Sequence, residues 1–371
     1  MLRSRSIFIT FTITLIFTLF INQNSHASHQ KIVDLEGRTI IIPQNVERVI
    51  PLGGALRFIV YLDAFEKVVG VENFEKKFKN NPLRPYSLKI SNYIDKIPSI
   101  GEGGPGKIPD IEKLIELKPD LIIAMGIDKT VVNAIETKTK IPIVVLSSGG
   151  RGFFDEDLVI ESLRLLGKIL KKENKAEKLI KYIKKSKEDL LKRTSESASS
   201  VRVYVGGIAY GGRQGFTSTQ ADFMPLKWIN AKNLADAIKT KGPVFLNKEQ
   251  ILKWNPDVIF IDLAGLELIA EDLKKNYDFY RSLKAVKEEK IYSILPYNNY
   301  HTNIEIAIAN SYFMGKIIYP KKFKDIDPNK KADEIVYEFL GLKGYMSKLP
   351  PKYGFGRVIL REDGVSVNFI Y

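Results

Sequence analysis

Two stretches of the 371-residue chain are near copies, and they constrain its architecture more than any other feature. The stretches 108–123 (IPDIEKLIELKPDLII) and 246–261 (LNKEQILKWNPDVIFI) overlap without a gap at an offset of 137 residues, which pairs Glu112 with Glu249 and Pro119 with Pro256. Each copy reads as a short helix, a Pro-Asp corner and an apolar run rich in Ile and Val. Proline ends the helix because it has no N–H to continue the ladder, and the run behind it suits a strand covered on both faces. Using this helix-to-parallel-strand unit twice calls for two similar α/β lobes.

The first residues stand apart from these lobes. Arg3 and Arg5 precede fifteen uncharged residues, 7–21, and a polar stretch leads on to Ser25-His26-Ala27. A charged start, an apolar centre and a small-x-small end spell a secretory signal cleaved after Ala27. The apolar run contains four threonines and falls short of the ~20 residues a membrane span needs. Export is therefore favoured over a permanent anchor. The chain contains no cysteine, which excludes a cysteine-linked lipid anchor, disulfides and thiolate metal clusters. A soluble periplasmic product follows. The net charge is +14, but residues 171–193 alone hold ten basic and four acidic side chains. A solvated helix face explains that surplus better than a nucleic-acid partner, for which no motif is present.

Along the chain, apolar runs around Glu36-Gly37 predict a hairpin. Short strands are expected at 48–52, 67–71, 141–146, 201–205 and 290–294. Residues 155–193 contain no proline and keep helical apolar spacing, which predicts two helices, the second long enough to bridge the lobes. The expected organisation is a signal at 1–27, an N-terminal lobe at 28–154, a helical connector at 155–194, a C-terminal lobe at 195–344 and an extension at 345–371. The extension carries a further hairpin signal at Asp363-Gly364, with no function attached to it.

In open α/β sheets ligands bind beyond the carboxyl ends of the strands. The loops there hold Gly53-Gly54 and Arg57, Gly103-Gly104-Pro105-Gly106, Tyr210 to Arg213, and Asn299-Tyr300-His301. Arg, Tyr, His and amide groups gathered in such loops suit a polar, anionic or chelated ligand. The glycines form neither a dinucleotide fingerprint nor a phosphate loop. His301 is the single histidine of the folded body, so a bare zinc or manganese ion held by several imidazoles is ruled out. No nucleophile elbow or other enzyme motif is visible, and Asp155-Glu156-Asp157 reads as charge at a helix start.

These features together resemble the substrate-binding proteins of ABC importers for iron complexes and cobalamin. The resemblance runs from about Lys31 to Gly341. It is carried by Asp34-Leu35-Glu36-Gly37-Arg38, by Arg48-Val49-Ile50, by Lys67-Val68-Val69-Gly70-Val71 as a second strand, by the two Pro-Asp copies and by the Tyr292 strand with the helix after Asn303. It implies an α/β fold of two Rossmann-like lobes joined by a single long helix, with the ligand cleft between them, and no enzymatic activity. It further implies that Glu112 and Glu249 dock on an importer permease dimer that works with its ATPase. The receptor is expected to be a monomer without an intrinsic cofactor, its cargo a metal complex or a metal oxyanion. Ligand residues transfer loosely. Arg57, Arg213, Tyr210 and Tyr300 suit a ferric catecholate or hydroxamate, His301 a haem or nickel chelate as metal ligand, and Arg57, Arg213 and Asn299 a molybdate or tungstate ion. A chelatase-type enzyme or a surface sensor on the same scaffold remain the alternatives from other classes.

Overall fold

The computed structural model describes residues 28–104, 106–150, 152–195 and 200–369. The secretory signal expected at 1–27 lies outside them. Strands Val49–Gly53, Leu121–Met125 and Ile143–Leu146 form a parallel sheet in that order. Strands Lys232–Asn233, Arg202–Gly206, Val258–Asp262 and Ile291–Ile294 form a second parallel set. Two antiparallel strands, Gly356–Arg361 and Gly364–Phe369, extend that second set to six. The N-terminal hairpin pairs His29–Val33 with Thr39–Pro43 around Gly37, whose positive φ suits the turn. Helices Glu156–Leu170 and Glu173–Thr194 connect the two sheets; the second is 22 residues long, or about 33 Å at helical rise. No helix among the described residues is long and apolar enough to cross a membrane.

The duplicated stretches fold alike down to single bonds. Asp110 caps helix Ile111–Glu116, and Asn247 caps helix Lys248–Trp254, each side chain accepting from first-turn N–H groups. Lys118 and Asn255 then turn the chain at φ 44° and 43°. The Pro-Asp corner follows, and its carboxylate has a purpose. Asp120 accepts from the Arg48 N–H at 2.9 Å, and Asp257 accepts from the Arg202 N–H at 3.0 Å. In return the Arg48 guanidinium donates to the Leu117 and Lys118 carbonyls, and that of Arg202 to the Trp254 and Asn255 carbonyls. Orphan carbonyls at each helix end are thereby satisfied from the start of the neighbouring strand.

One expectation fails. Residues 67–71 do not form a strand; they make only isolated bridges, Val49 to Val68 and Val71 to Ser99. A β-carbon at Gly70 would lie 2.7 Å from both Ile100 and Leu117, so the chain touches the sheet edge at Val68 and is then pressed beneath those side chains instead of continuing as a strand.

The lobes share a core. One continuous apolar cluster takes in helix Ala55–Tyr61 of the first lobe, the two connecting helices, and helices Ile304–Ile318 and Pro328–Leu340 of the second. Tyr61 sits at that junction, its ring 5.1 Å from Phe339 and its hydroxyl donating to buried Glu305. Separate clusters cover the outer faces of the sheets.

Candidate ligand-binding cleft

Loops at the carboxyl ends of both parallel sheets face one another across a cleft of about 770 Å³. Gly53 and Gly126 contribute from the first lobe, Ala209 to Arg213, Ala264 and Asn298 to His301 from the second. Tyr210, Arg213, Asn299, Tyr300 and His301, all anticipated from sequence, line it.

The loop 297–303 does most to define the site. A bridge between Asn298 and Thr302 and a bond from the Asn303 N–H to the Tyr297 carbonyl close it on itself. Tyr300 and His301 have φ of 52° and 70°, a region that costs a non-glycine residue energy and persists only where surroundings enforce it. Arg57 supplies much of that enforcement. It is 1% exposed and does not line the cleft. Its guanidinium donates to the Thr302 carbonyl at 2.8 Å, to the Asn299 carbonyl at 3.0 Å and to Asn303 Oδ1 at 3.0 Å, and it lies 4.7 Å over the Tyr86 ring. Arg57 therefore acts on the cleft through the loop it holds.

Held this way, His301 reaches into the first lobe. A β-carbon on Gly126 would meet its imidazole at 2.0 Å, and one on Gly54 at 2.6 Å. Gly54, from a loop the sequence marked, and Gly126, which it did not mark, thus make room for this side chain. Tyr300 donates to Glu72 at 2.6 Å, accepts from the Gly104 N–H at 3.2 Å and packs its ring 4.4 Å from Phe74. Burial pushes the Glu72 carboxyl up to about 7, and the Tyr300 hydrogen bond only partly offsets this. Beneath them Arg84, fully buried, pairs with Glu75 and the Tyr86 hydroxyl. Its Nε and Nη1 make no hydrogen bond; the faces of Phe74, Tyr86 and Tyr300 lie 5.0–5.5 Å from the guanidinium and solvate it.

On the far wall Arg213 is exposed and pairs with Glu267 at 2.5 Å, while Tyr210 stands near Phe245, ring centres 6.3 Å apart. Phe74, Phe78, Lys107, Pro350 and Tyr353 also line the cleft, beside Ile108, Ile127 and the carboxylate Asp128. None of these five was anticipated. Phe74 lies in the five-residue helix Asn73–Lys77, Phe78 and Lys107 between elements, and Pro350 and Tyr353 in the extension, where neither periodicity nor a motif marks them. Among the described residues, no three His, Cys, Asp or Glu side chains gather to hold a metal ion. Aromatic faces, amides and cations converge on the cleft.

A two-lobed α/β scaffold with a cleft at the carboxyl ends of both sheets suits a solute receptor. The chain belongs to the periplasmic binding protein family, whose model matches residues 56–297. It is similar to the molybdate-binding protein MolA of Haemophilus influenzae, at 23% identity over 329 residues, 83% of this chain and 90% of that one. The molybdate-bound structure of MolA superposes with a TM-score of 0.67 at 20% identity, covering 85% of this chain and 98% of the other. The triscatecholate siderophore binding protein FeuA of Bacillus subtilis, complexed with ferri-bacillibactin, superposes at 0.57 with 22% identity, covering 78% and 98%. The family places the chain among the substrate-binding proteins of ABC importers, outside the cytoplasm and in partnership with a permease and its ATPase.

Proposed function

We propose that this receptor captures an organic metal chelate of the ferric-siderophore class and delivers it to its importer as a soluble periplasmic monomer, without catalysing a reaction. The size of the cleft carries the reading. About 770 Å³ lies within the roughly 300–1,000 Å³ of organic-ligand sites, whereas a four-oxygen anion would leave most of it unfilled. The aromatic lining and the two cations Lys107 and Arg213, against Asp128 as the single lining carboxylate among the described residues, suit a net-anionic complex with planar donor arms. Similarity to a molybdate-binding protein supports a second reading, a metal oxyanion held by Arg213, Asn299 and loop N–H groups. Calorimetric titration of residues 28–371 with ferric tris-catecholate, ferric tris-hydroxamate, ferric citrate, haem, nickel–histidine, molybdate and tungstate separates the two. Binding of a ferric chelate but not molybdate supports the first; the reverse pattern replaces it with the second.

Docking through Glu112 and Glu249 belongs to the same proposal. Both are exposed in the first turn of equivalent helices. Each is flanked by apolar side chains four residues before and three after, Ile108 and Ile115 in one lobe, Phe245 and Leu252 in the other, all 39–65% exposed. Exposed apolar groups repeated around one carboxylate per lobe favour a partner that presents the same surface twice. Both patches adjoin the cleft rim, because Ile108 lines it and Phe245 stands against Tyr210. Replacing Glu112 and Glu249 together by Arg should abolish uptake in cells with ligand affinity unchanged; retained uptake, or lost affinity, refutes the assignment.

A further inference from the structure

The C-terminal segment lies beyond residues 56–297, the part of the chain that the family model matches, and it spans the cleft from one lobe to the other. At its beginning, buried Tyr345 donates its hydroxyl to the Pro82 carbonyl of the first lobe at 2.8 Å, and the Met346 N–H donates to Asp333 at 2.7 Å. At its end, Phe355 stacks on Phe313 with ring centres 4.5 Å apart and planes 20° from parallel. Ser293 donates to the Gly354 carbonyl at 2.8 Å, and strand Gly356–Arg361 pairs beside Ile291–Ile294. Its partner strand Gly364–Phe369 sends Val365 and Val367 into the second-lobe core. Between these anchors Pro350 and half-buried Tyr353 line the cleft. Lys352, beside them, donates to Glu267 at 2.9 Å, the same carboxylate that pairs with Arg213. A segment fixed at both ends and exposed to the ligand space only in its middle is a wall, not a loose tail.

We infer that residues 345–353 form a third wall of the binding site, and that Tyr353 with Pro350 sets which chelate the receptor accepts. This rests on the chelate reading above. The Tyr353 ring offers a flat apolar face to an aryl or hydroxamate arm. Lys352, Glu267 and Arg213 carry one net positive charge between them, which favours an anionic complex at that end of the cleft. The wall's position also limits ligand length along that axis, so a receptor of two lobes alone would accept larger complexes.

The test is affinity in the intact protein. Whichever ferric chelate the wild type binds among tris-catecholate, tris-hydroxamate and citrate should bind Tyr353→Ala about fivefold or more weakly. Glu362→Ala, at the tip of the terminal hairpin, should bind like wild type. Matching thermal unfolding of the ligand-free variants establishes that Tyr353→Ala has kept the fold. The chain lacks cysteine, so Tyr353→Cys gives a single thiol that the bound chelate should protect from alkylation. Unchanged affinity of Tyr353→Ala, or a thiol at 353 modified equally fast with and without chelate, overturns the inference and leaves the chelate reading standing. Absence of any chelate binding by wild type removes that reading and this inference with it.

Discussion

Glu72 shows how a single side chain links ligand space to stability. It is buried 4% exposed beside Tyr300, Glu75 and Arg84, and its carboxyl titrates near 7 instead of its ordinary 4.5. A folded-state value above the unfolded one means the unfolded chain gives up this proton first. The contribution of neutral Glu72 is complete below about pH 4.5 and is lost as pH rises through about 7. Glu72→Gln should therefore match wild type near pH 4 and exceed it above pH 8 by on the order of 1–3 kcal/mol in denaturant titrations. Equal stability of the two proteins at pH 8 would refute this. Buried Asp262 is raised to about 7 in the same direction, so part of the alkaline decline should remain in the variant.

At the level of elements, the Arg and Pro-Asp corner is the unit that evolution of this chain has used twice. The Arg202 hydrogen bond holds the Asp257 carboxyl well below the usual carboxylate range. Its stabilisation is present above the ordinary value of 3.8 and is lost as pH falls toward the depressed one. Asp257→Asn should cost about 1–2 kcal/mol near neutral pH, since a charge-assisted bond to Arg202 and Lys284 becomes a neutral one. Asp120→Asn, which receives only the Glu47 and Arg48 N–H groups, should cost less. Urea titrations at pH 7 and pH 3 check both the order and the narrowing of the gap in acid. The helices, corners and strands of these units were readable in advance because local rules specify them: a cap, an αL residue, a proline, a β-branched run. The stretch 67–71 was misread because its sequence has strand propensity while its glycine answers to Ile100 and Leu117, far along the chain.

Across the whole molecule, the shared core argues against wide opening of the lobes. Arg57 ties the first lobe to the 297–303 loop, Tyr61 donates to Glu305, and Tyr345 returns to Pro82. Breaking any hinge-like opening out of this arrangement would expose a continuous apolar cluster. Small-angle scattering with and without ligand should accordingly show a radius of gyration that changes by less than about 1 Å. Arg57→Leu should release the loop, lower the unfolding free energy by an amount on the order of 3 kcal/mol and weaken every ligand, because Tyr300 and His301 lose the support of their strained backbone. A larger compaction on binding in wild type would show that the lobes move as separate bodies.

The duplication, the two α/β units, the linking helices and the terminal hairpin were all legible in order along the chain, because periodicity, capping and turn chemistry act over a few residues. So were five of the residues that line the cleft, since loops at strand ends gather there in any such fold. Position in space followed a different logic. Arg57 looked like a ligand contact from its place after Gly53-Gly54, and it became a buried clamp because residues 299, 302 and 303 present carbonyl and amide oxygens to it. Phe74, Phe78, Lys107, Pro350 and Tyr353 became cleft residues only through contacts between segments hundreds of positions apart. Local sequence specifies what each element is; long-range packing, which no short window encodes, specifies which side chains are left facing the ligand.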